Sequence, residues 1–170
     1  MSDADDPLAL AVQLESADAH ARSTAAEALS RMGETAAPAA AALVRACGDT
    51  DDQLREFAVA ALEDLGPPPA ESIGRLVGLV AHADPLVAYW AATLLGRAGE
   101  DAASAVPALA LCVDSTAELS VRQRAAWALG KIGPAAATAR DALARAARQD
   151  DPRLARLATE ALAACGKSHP

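Results

Sequence analysis

Apolar positions recur along the chain at fixed distances from five glycines. Gly33, Gly66, Gly99, Gly133 and Gly166 stand 33, 33, 34 and 33 residues apart. Four residues before each is a leucine (Leu29, Leu62, Leu95, Leu129, Leu162), and eight before each is an alanine (Ala25, Ala58, Ala91, Ala125, Ala158). Twelve before stand Ala21, Leu54, Val87, Val121 and Leu154, and one before stand Met32, Leu65, Ala98, Ile132 and Cys165. These offsets trace one stripe on a helix of 3.6 residues per turn and predict a recurring helix, termed A. An acid fifteen before each glycine (Asp18, Asp51, Asp84, Glu118, Asp151) predicts its N-cap, with Pro85 and Pro152 next in line where a first-turn proline is tolerated. The glycine predicts its end, in the left-handed conformation.

After each glycine a second ladder follows at plus ten and plus fourteen: Leu43 and Cys47, Leu76 and Val80, Leu109 and Val113, Leu143 and Ala147. It predicts a helix B, preceded by turns in which Pro67 to Pro69 and Pro134 restrict the linker. The same register makes residues 7–15, with Leu10 and Leu14, an unpaired helix B. The array thus begins on a B and stops on an A. The extra residue of the 34-residue interval falls between Asp114 and Glu118, in a connection that tolerates insertion.

A period of about 33 residues is shared by several helical repeats, so motif content must separate them. No Thr-Pro-Leu-His or Trp-x-x-Leu-Gly-x-x-Tyr pattern occurs. The stretch from Val121 through Arg122, Ala125, Trp127, Leu129 and Gly133 to Pro134 resembles the short HEAT-like repeat of the phycobilin-lyase type. Leu54 to Pro67 and Val106-Pro107-Ala108-Leu109 follow the same pattern. The resemblance implies an all-α fold, an α-solenoid in the form of a right-handed superhelix of about five HEAT-like helix pairs. A helices would lie outside and B helices would line a concave face. The expected organisation is a single repeat domain over residues 7–166: a half repeat 7–15, repeats at about 16–49, 50–82, 83–114 and 115–149, and a half repeat 150–166. An acidic tail 1–6 and a tail 167–170 flank it.

Composition sharpens this picture. Of 170 residues 52% are hydrophobic but only 2% aromatic, and alanine supplies 48 of them, which favours closely apposed helices over one large-residue core. A net charge of −8 opposes a dominant nucleic-acid or anionic-membrane partner. Cys47, Cys112 and Cys165 are odd in number and far apart, suggesting neither a disulfide framework nor a zinc site and fitting a reducing cytoplasm. The acidic N-terminus lacks the basic start of a signal peptide, and no apolar run approaches the span of a bilayer.

Relatives of this fold include enzymes, and each requirement can be tested on residues. Deoxyhypusine hydroxylases hold a di-iron centre with repeated His-Glu pairs, which this chain lacks; His20, His82 and His169 are scattered over different repeats. DNA glycosylases on the fold need a basic groove with central aromatic and acidic residues. Here only Arg45, Arg75 and Arg145 share the face of helix B turned away from the ladder. Either they keep an alanine-rich surface solvated, or they meet an acidic or phosphorylated segment through bidentate guanidinium forks. In the second case Gly74, Gly78, Leu79, Pro107, Leu111 and Cys112 supply an apolar floor, Cys112 being the cysteine expected at the surface.

Phe57 and Trp90, nine before the glycine, are expected to touch a neighbouring repeat; Tyr89 and Trp127 map to the outer side of helix A. Trp127 is accordingly read either as packing between repeats or as a binding anchor. Arg22, Arg55 and Arg122 recur eleven before the glycine and are read as structural, with Asp49 and Asp114 as partners for Arg55 and Arg122.

The expected function is a non-catalytic scaffold that binds a partner protein or peptide, acidic in one reading, on its concave B surface. The protein-binding candidates are Arg45, Arg75, Leu79, Leu111, Arg145 and Trp127. No catalytic residue, cofactor or metal ligand is assigned, and no membrane partner. The alternatives are an enzyme or enzyme subunit on the same fold, bilin lyase-like or DNA glycosylase-like, or a weak nucleic-acid binder. The last helix A, with Leu154, Leu157, Ala158, Ala161 and Leu162, has no helix B predicted after it, so either the chain is a segment of something longer or that face meets a partner or, by self-association, a second copy.

Overall fold

The computed structural model describes residues 6–166, in which ten α-helices and three 3₁₀ segments alternate with short turns and no strand occurs. The chain divides into two compact units, one up to Ser72 and one from Ile73. The first unit holds α1 (Pro7–Gln13), α2 (Ala19–Ser30), α3 (Ala40–Ala46) and α4 (Asp52–Glu63). The boundary falls inside α5 (Ala70–Leu79). The second unit continues with α6 (Pro85–Ala98), α7 (Val106–Asp114), α8 (Leu119–Ile132), α9 (Arg140–Ala146) and α10 (Pro152–Cys165).

Helices α2, α4, α6, α8 and α10 are the A helices, and each starts at the acid the pattern marks. The carboxylates of Asp18, Asp51, Asp84 and Asp151 accept backbone N–H groups of their first turns, for example Leu154 N–H to Asp151 Oδ1 at 2.6 Å. These bonds satisfy donors that a helix start leaves unpaired. Glu118 opens α8 without such a bond and accepts from the Ser120 hydroxyl instead, at 3.2 Å. Its extra methylene carries the carboxylate past the first-turn donors.

The glycines end the A helices differently from the expectation. Gly33, Gly66, Gly99 and Gly133 have φ between +54° and +71°, but Gly99 and Gly133 combine this with ψ of −133°. That is not the left-handed helical well; it is a region closed to side chains other than hydrogen. The sharp reversal launches a 3₁₀ segment of seven residues (Gly33–Ala39, Gly99–Ala105, Gly133–Ala139) that leads into α3, α7 and α9. Before α5, Pro67 to Pro69 remove three successive N–H donors and no 3₁₀ turn forms. Gly166, at φ −91°, departs from the other four.

Within the first unit α2 packs on α4, α3 on α4, and α1 on α2 and the Gly33–Ala39 segment. Within the second, α6 packs on α8 and α8 on α10, while α7 lies against α8 and α9, and α9 against α10. Each unit is therefore a stretch of α-solenoid, a row of A helices beside a row of B helices. The alanines eight before the glycine are all fully buried, because a larger side chain there would hold neighbouring A helices apart. Gly96 and Gly130, both three before a repeat glycine, allow similar proximity. A Cβ on Gly130 would stand 3.3 Å from the Ala161 Cα, and one on Gly96 only 2.3 Å from a Trp127 ring carbon.

Two further buried registers escape the apolar ladders. Ala36, Ala102 and Ala136, three after the glycine, and Ala39, Ala105 and Ala139, six after it, are at most 1% exposed and pack the 3₁₀ segments down. In the one repeat without such a segment, Ser72 takes the place six after the glycine. It is fully buried and its hydroxyl finds no protein partner. Ser72→Ala should therefore raise stability by about 1 kcal/mol, by removing a buried unpaired hydroxyl. Chemical denaturation of the two proteins measures this, and an unchanged or lower midpoint would contradict it.

Candidate functional site

The arginines eleven before the glycine are structural; Arg55 meets the expected Asp49, through its backbone carbonyl, whereas Arg122 does not meet Asp114. Arg22 donates to its preceding turn at Ser16 O and Ala17 O (3.0 and 3.2 Å) and to Asp49 of the following turn, Nε to Oδ2 at 2.8 Å. Arg55 reaches the backbone carbonyl of Asp49 at 2.8 Å and pairs with Asp52. Arg122 bonds the Val113 carbonyl at 3.0 Å and Gln149 at 2.7 Å. Asp49 and Gln149 both stand sixteen after a glycine, so Arg22 and Arg122 strap successive B-to-A turns in the same way. Burial pushes the Asp49 carboxyl up, but the Arg22 guanidinium and the N–H groups of Asp51 and Thr50 outweigh it and hold the pKa below the ordinary 3.8.

The three B-helix arginines separate into two kinds. Arg45 in the first unit pairs with Glu15, and Arg145 in the second pairs with Asp114, bonding its Oδ1 at 3.3 Å through Nε. Both acids stand at plus fifteen of the preceding repeat, so these two arginines tie adjacent B helices together. This also explains why Asp114 does not serve Arg122. Arg75 is exposed and makes no ion pair among the described residues. Leu79 is buried, while Leu111 is 74% exposed, the largest exposure of any leucine in the described chain.

Leu111 stands at the edge of an apolar cleft of about 360 Å³ in the second unit. The C-terminal end of α5 and its turn (Val80, Ala81), the start of α6 (Pro85, Ala88), α7 (Ala108, Leu111, Cys112) and the start of α8 (Val121) line it. Ala81, Ala88 and Ala108 present only methyl groups to this space. Cys112 lies in its floor, buried rather than exposed, and burial pushes its thiol pKa up against the weaker opposing pull of Arg122. Burial likewise raises the Cys165 thiol. Neither is a poised nucleophile. Among the described residues no three His, Cys, Asp or Glu side chains converge to hold a metal ion; His169 lies outside the described residues.

On the A-helix side of the second unit the aromatics gather. Trp127 is half-buried: part of its ring lies over Gly96 of α6, so it packs between neighbouring A helices, and the rest stays accessible. Trp90, 7% exposed, meets Tyr89 edge to face at 5.9 Å between centroids. Arg124 places its guanidinium 4.6 Å from the Tyr89 ring and 4.9 Å from the Trp127 ring, and donates to the Tyr89 hydroxyl. Lys131 sits 5.8 Å from the Trp127 ring. Sequence reasoning found Trp127 and Tyr89 but missed Arg124, Arg153 and Arg156. The signal was available: Arg124 shares the offset of Trp90, nine before the glycine, and Arg156 shares that of Tyr89, ten before it.

Among the described residues no helix is long and apolar enough to cross a membrane. A family model described as HEAT repeats matches residues 74–163, more than half of the chain. No curated protein matches the sequence. Among solved structures the fold is similar to an engineered protein from a structural genomics consortium, with TM-score 0.64 and 25% identity over 94% of this chain and 78% of that one. It is also similar to a designed armadillo repeat protein in complex with the peptide (KR)4, with TM-score 0.65 and 18% identity over 92% of this chain and 80% of that one. A third similar structure is the complex of CpcE and CpcF of phycocyanin lyase from Nostoc sp. PCC7120, with TM-score 0.65 and 24% identity over 95% of this chain and 65% of that one.

Proposed function

The chain belongs to the HEAT repeat family, and from that premise we propose that it is a non-catalytic scaffold whose B-helix side seats a segment of a partner protein. The observation that carries this reading is the apolar cleft of about 360 Å³ with Leu111 exposed at its edge. A soluble surface rarely keeps a leucine this open beside an apolar hollow unless another molecule covers both. The occupant is an extended or helical peptide segment that inserts one apolar side chain between α5 and α7 and packs its next turn on Leu111. Affinity would come from that buried anchor, with the surrounding polar contacts excluding water. The designed armadillo protein and the CpcE–CpcF complex, which hold a peptide and a second subunit, support the use of such a scaffold for binding.

The arginine face contributes less in this reading. Arg45 and Arg145 already bridge B helices, so a partner carboxylate would have to displace Glu15 or Asp114. Arg75 alone offers an open fork to an acidic partner.

Capture from a lysate of the source cells, with wild type beside Leu111→Glu, tests the proposal. At 74% exposure the substitution leaves the fold intact, which equal circular dichroism and melting confirm. At least one protein held by the wild type should be lost from the variant by a factor of about 30, the scale of a binding hot spot. A prey set unchanged by Leu111→Glu would overturn it.

A further inference from the structure

The cleft leaves the A-helix side of the second unit unused, and the chemistry there is different. We propose that this side carries a second docking surface, a groove across α6, α8 and α10 that recognises an acidic peptide segment through Arg124, Arg153 and the face of Trp127.

Charge is the first support. The chain carries a net −8, but its charges are unevenly divided: four basic against fourteen acidic residues up to Ser72, and eleven against nine from Ile73 onward. Within the second unit three arginines, Arg124, Arg153 and Arg156, line one hollow of about 570 Å³ with a single carboxylate, Glu160. Glu160 accepts from Arg156 at 2.7 Å, and the nearest charge to Arg153 is the Asp151 cap of its own helix, outside the lining of the hollow.

The state of Arg124 and Arg153 is the second. The Arg124 guanidinium lies against both the Tyr89 and Trp127 rings and gives one hydrogen bond, to the Tyr89 hydroxyl. Its fork is thus already ordered, so a ligand carboxylate would not have to immobilise a long flexible chain. Arg153 is exposed in the first turn of α10; its backbone N–H donates to the Asp151 cap, whose carboxylate also attracts the guanidinium. That carboxylate is shared with the Leu154 N–H and Gln123, and a cation at the positive end of a helix is locally unfavourable. An anion arriving in the groove would add a second counter-charge. The accessible part of the Trp127 ring and the edge of the buried Leu157 line the same hollow and offer an apolar seat for one side chain of the segment.

The geometry favours a short acidic peptide over a nucleic acid. Asp84 and Glu118 border the adjoining hollow beside Tyr89, so a long polyanion tracking past the groove would meet two carboxylates. A net excess of two basic residues in the unit gives little of the counterion release on which nucleic-acid binding depends. Two or three carboxylates match the arginines of the groove. This surface shares none of the residues that carry the Leu111 cleft, so its test is independent of that reading.

The test is fluorescence anisotropy with the full chain and three probes: a short labelled peptide of alternating glutamate and leucine, the same peptide with glutamine for glutamate, and single-stranded oligothymidylate of equal charge. The acidic peptide should bind and the glutamine peptide should not. Arg153→Glu should weaken the acidic peptide by about tenfold or more, Arg153→Gln by less, and Arg31→Glu, on the first unit, should leave it unchanged. Equal helicity of all variants is confirmed first, and Arg153→Gln stands in if the charge reversal impairs folding. Equal binding of the two peptides, indifference to both Arg153 substitutions, or tighter binding of the oligonucleotide would each overturn the proposal.

Discussion

Leu129→Ala is expected to lower the unfolding free energy by about 2–5 kcal/mol. Leu129 is fully buried, four residues before the repeat glycine, on the A helix that packs against α6, α7 and α10. Truncation there removes methyl groups from the interior of the second unit. The helices packed around it are held by their own contacts and close only in part on the void. Leu111→Ala, the same chemical change at a position 74% exposed, should alter stability by no more than about 0.5 kcal/mol. Denaturant unfolding followed by circular dichroism measures both. Similar midpoint shifts for the two variants would show that Leu129 is not in a packed core.

Gly133→Ala should cost about 1–3 kcal/mol, although it adds one methyl group to open space. Apart from its own residue and chain neighbours no heavy atom stands within 4 Å of where the new Cβ would lie, so crowding by the rest of the fold contributes nothing. The cost is the backbone alone, φ +69° with ψ −133°, where an L side chain collides with its own chain. Gly78→Ala, in the exposed part of α5 where space is equally open but the backbone is helical, should act in the opposite sense and stabilise by about 0.5–1 kcal/mol. Thermal melts of the pair check the sign difference directly. If Gly133→Ala melts at or above the wild type, the reversal after α8 does not need its glycine.

These contrasts show which features the sequence carries openly. The A helices are legible because three independent signals coincide: an acid at the start, a leucine-alanine stripe and a glycine at the end. All five start at the marked acid. The ladder of helix B was equally readable at Leu43, Leu76, Leu109 and Leu143, all fully buried. The 3₁₀ segments were not, since Gly33–Ala39 and its counterparts consist of alanine and small polar residues with no helical period. Their buried alanines at plus three and plus six become visible only once the turn geometry is known. Nor does an even spacing of repeats reveal that the contacts divide at Ser72 and Ile73.

The functional surfaces were readable in part. Trp127 stood out as an aromatic on the outer side of helix A, and Leu111 as part of an apolar floor between the B-helix arginines. Cys112 was expected in that floor but at the surface, and it is buried, because the wheel position alone does not say how deep the cleft runs. The arginines misled for a physical reason. A guanidinium on a solenoid reaches about one repeat along the stack, so Arg45 and Arg145 find Glu15 and Asp114 on the preceding helix B. Sequence offset within one repeat does not reveal this. Arg124 went unnoticed because its partners, Tyr89 and Trp127, come from two helices whose registers are set by the Gly96 contact.

The central claim, that the apolar cleft seats a partner protein, is tested most directly by photo-crosslinking from position 111. Leu111 is replaced by a photoreactive amino acid, the full chain is irradiated in a lysate of the source cells, and adducts are read by mass spectrometry beside the same reagent at exposed Glu56. A protein adduct formed from position 111 and absent from position 56 is the predicted result, with the crosslink mapping to an apolar residue of the partner. Adducts no more abundant from position 111 than from position 56 would contradict the account.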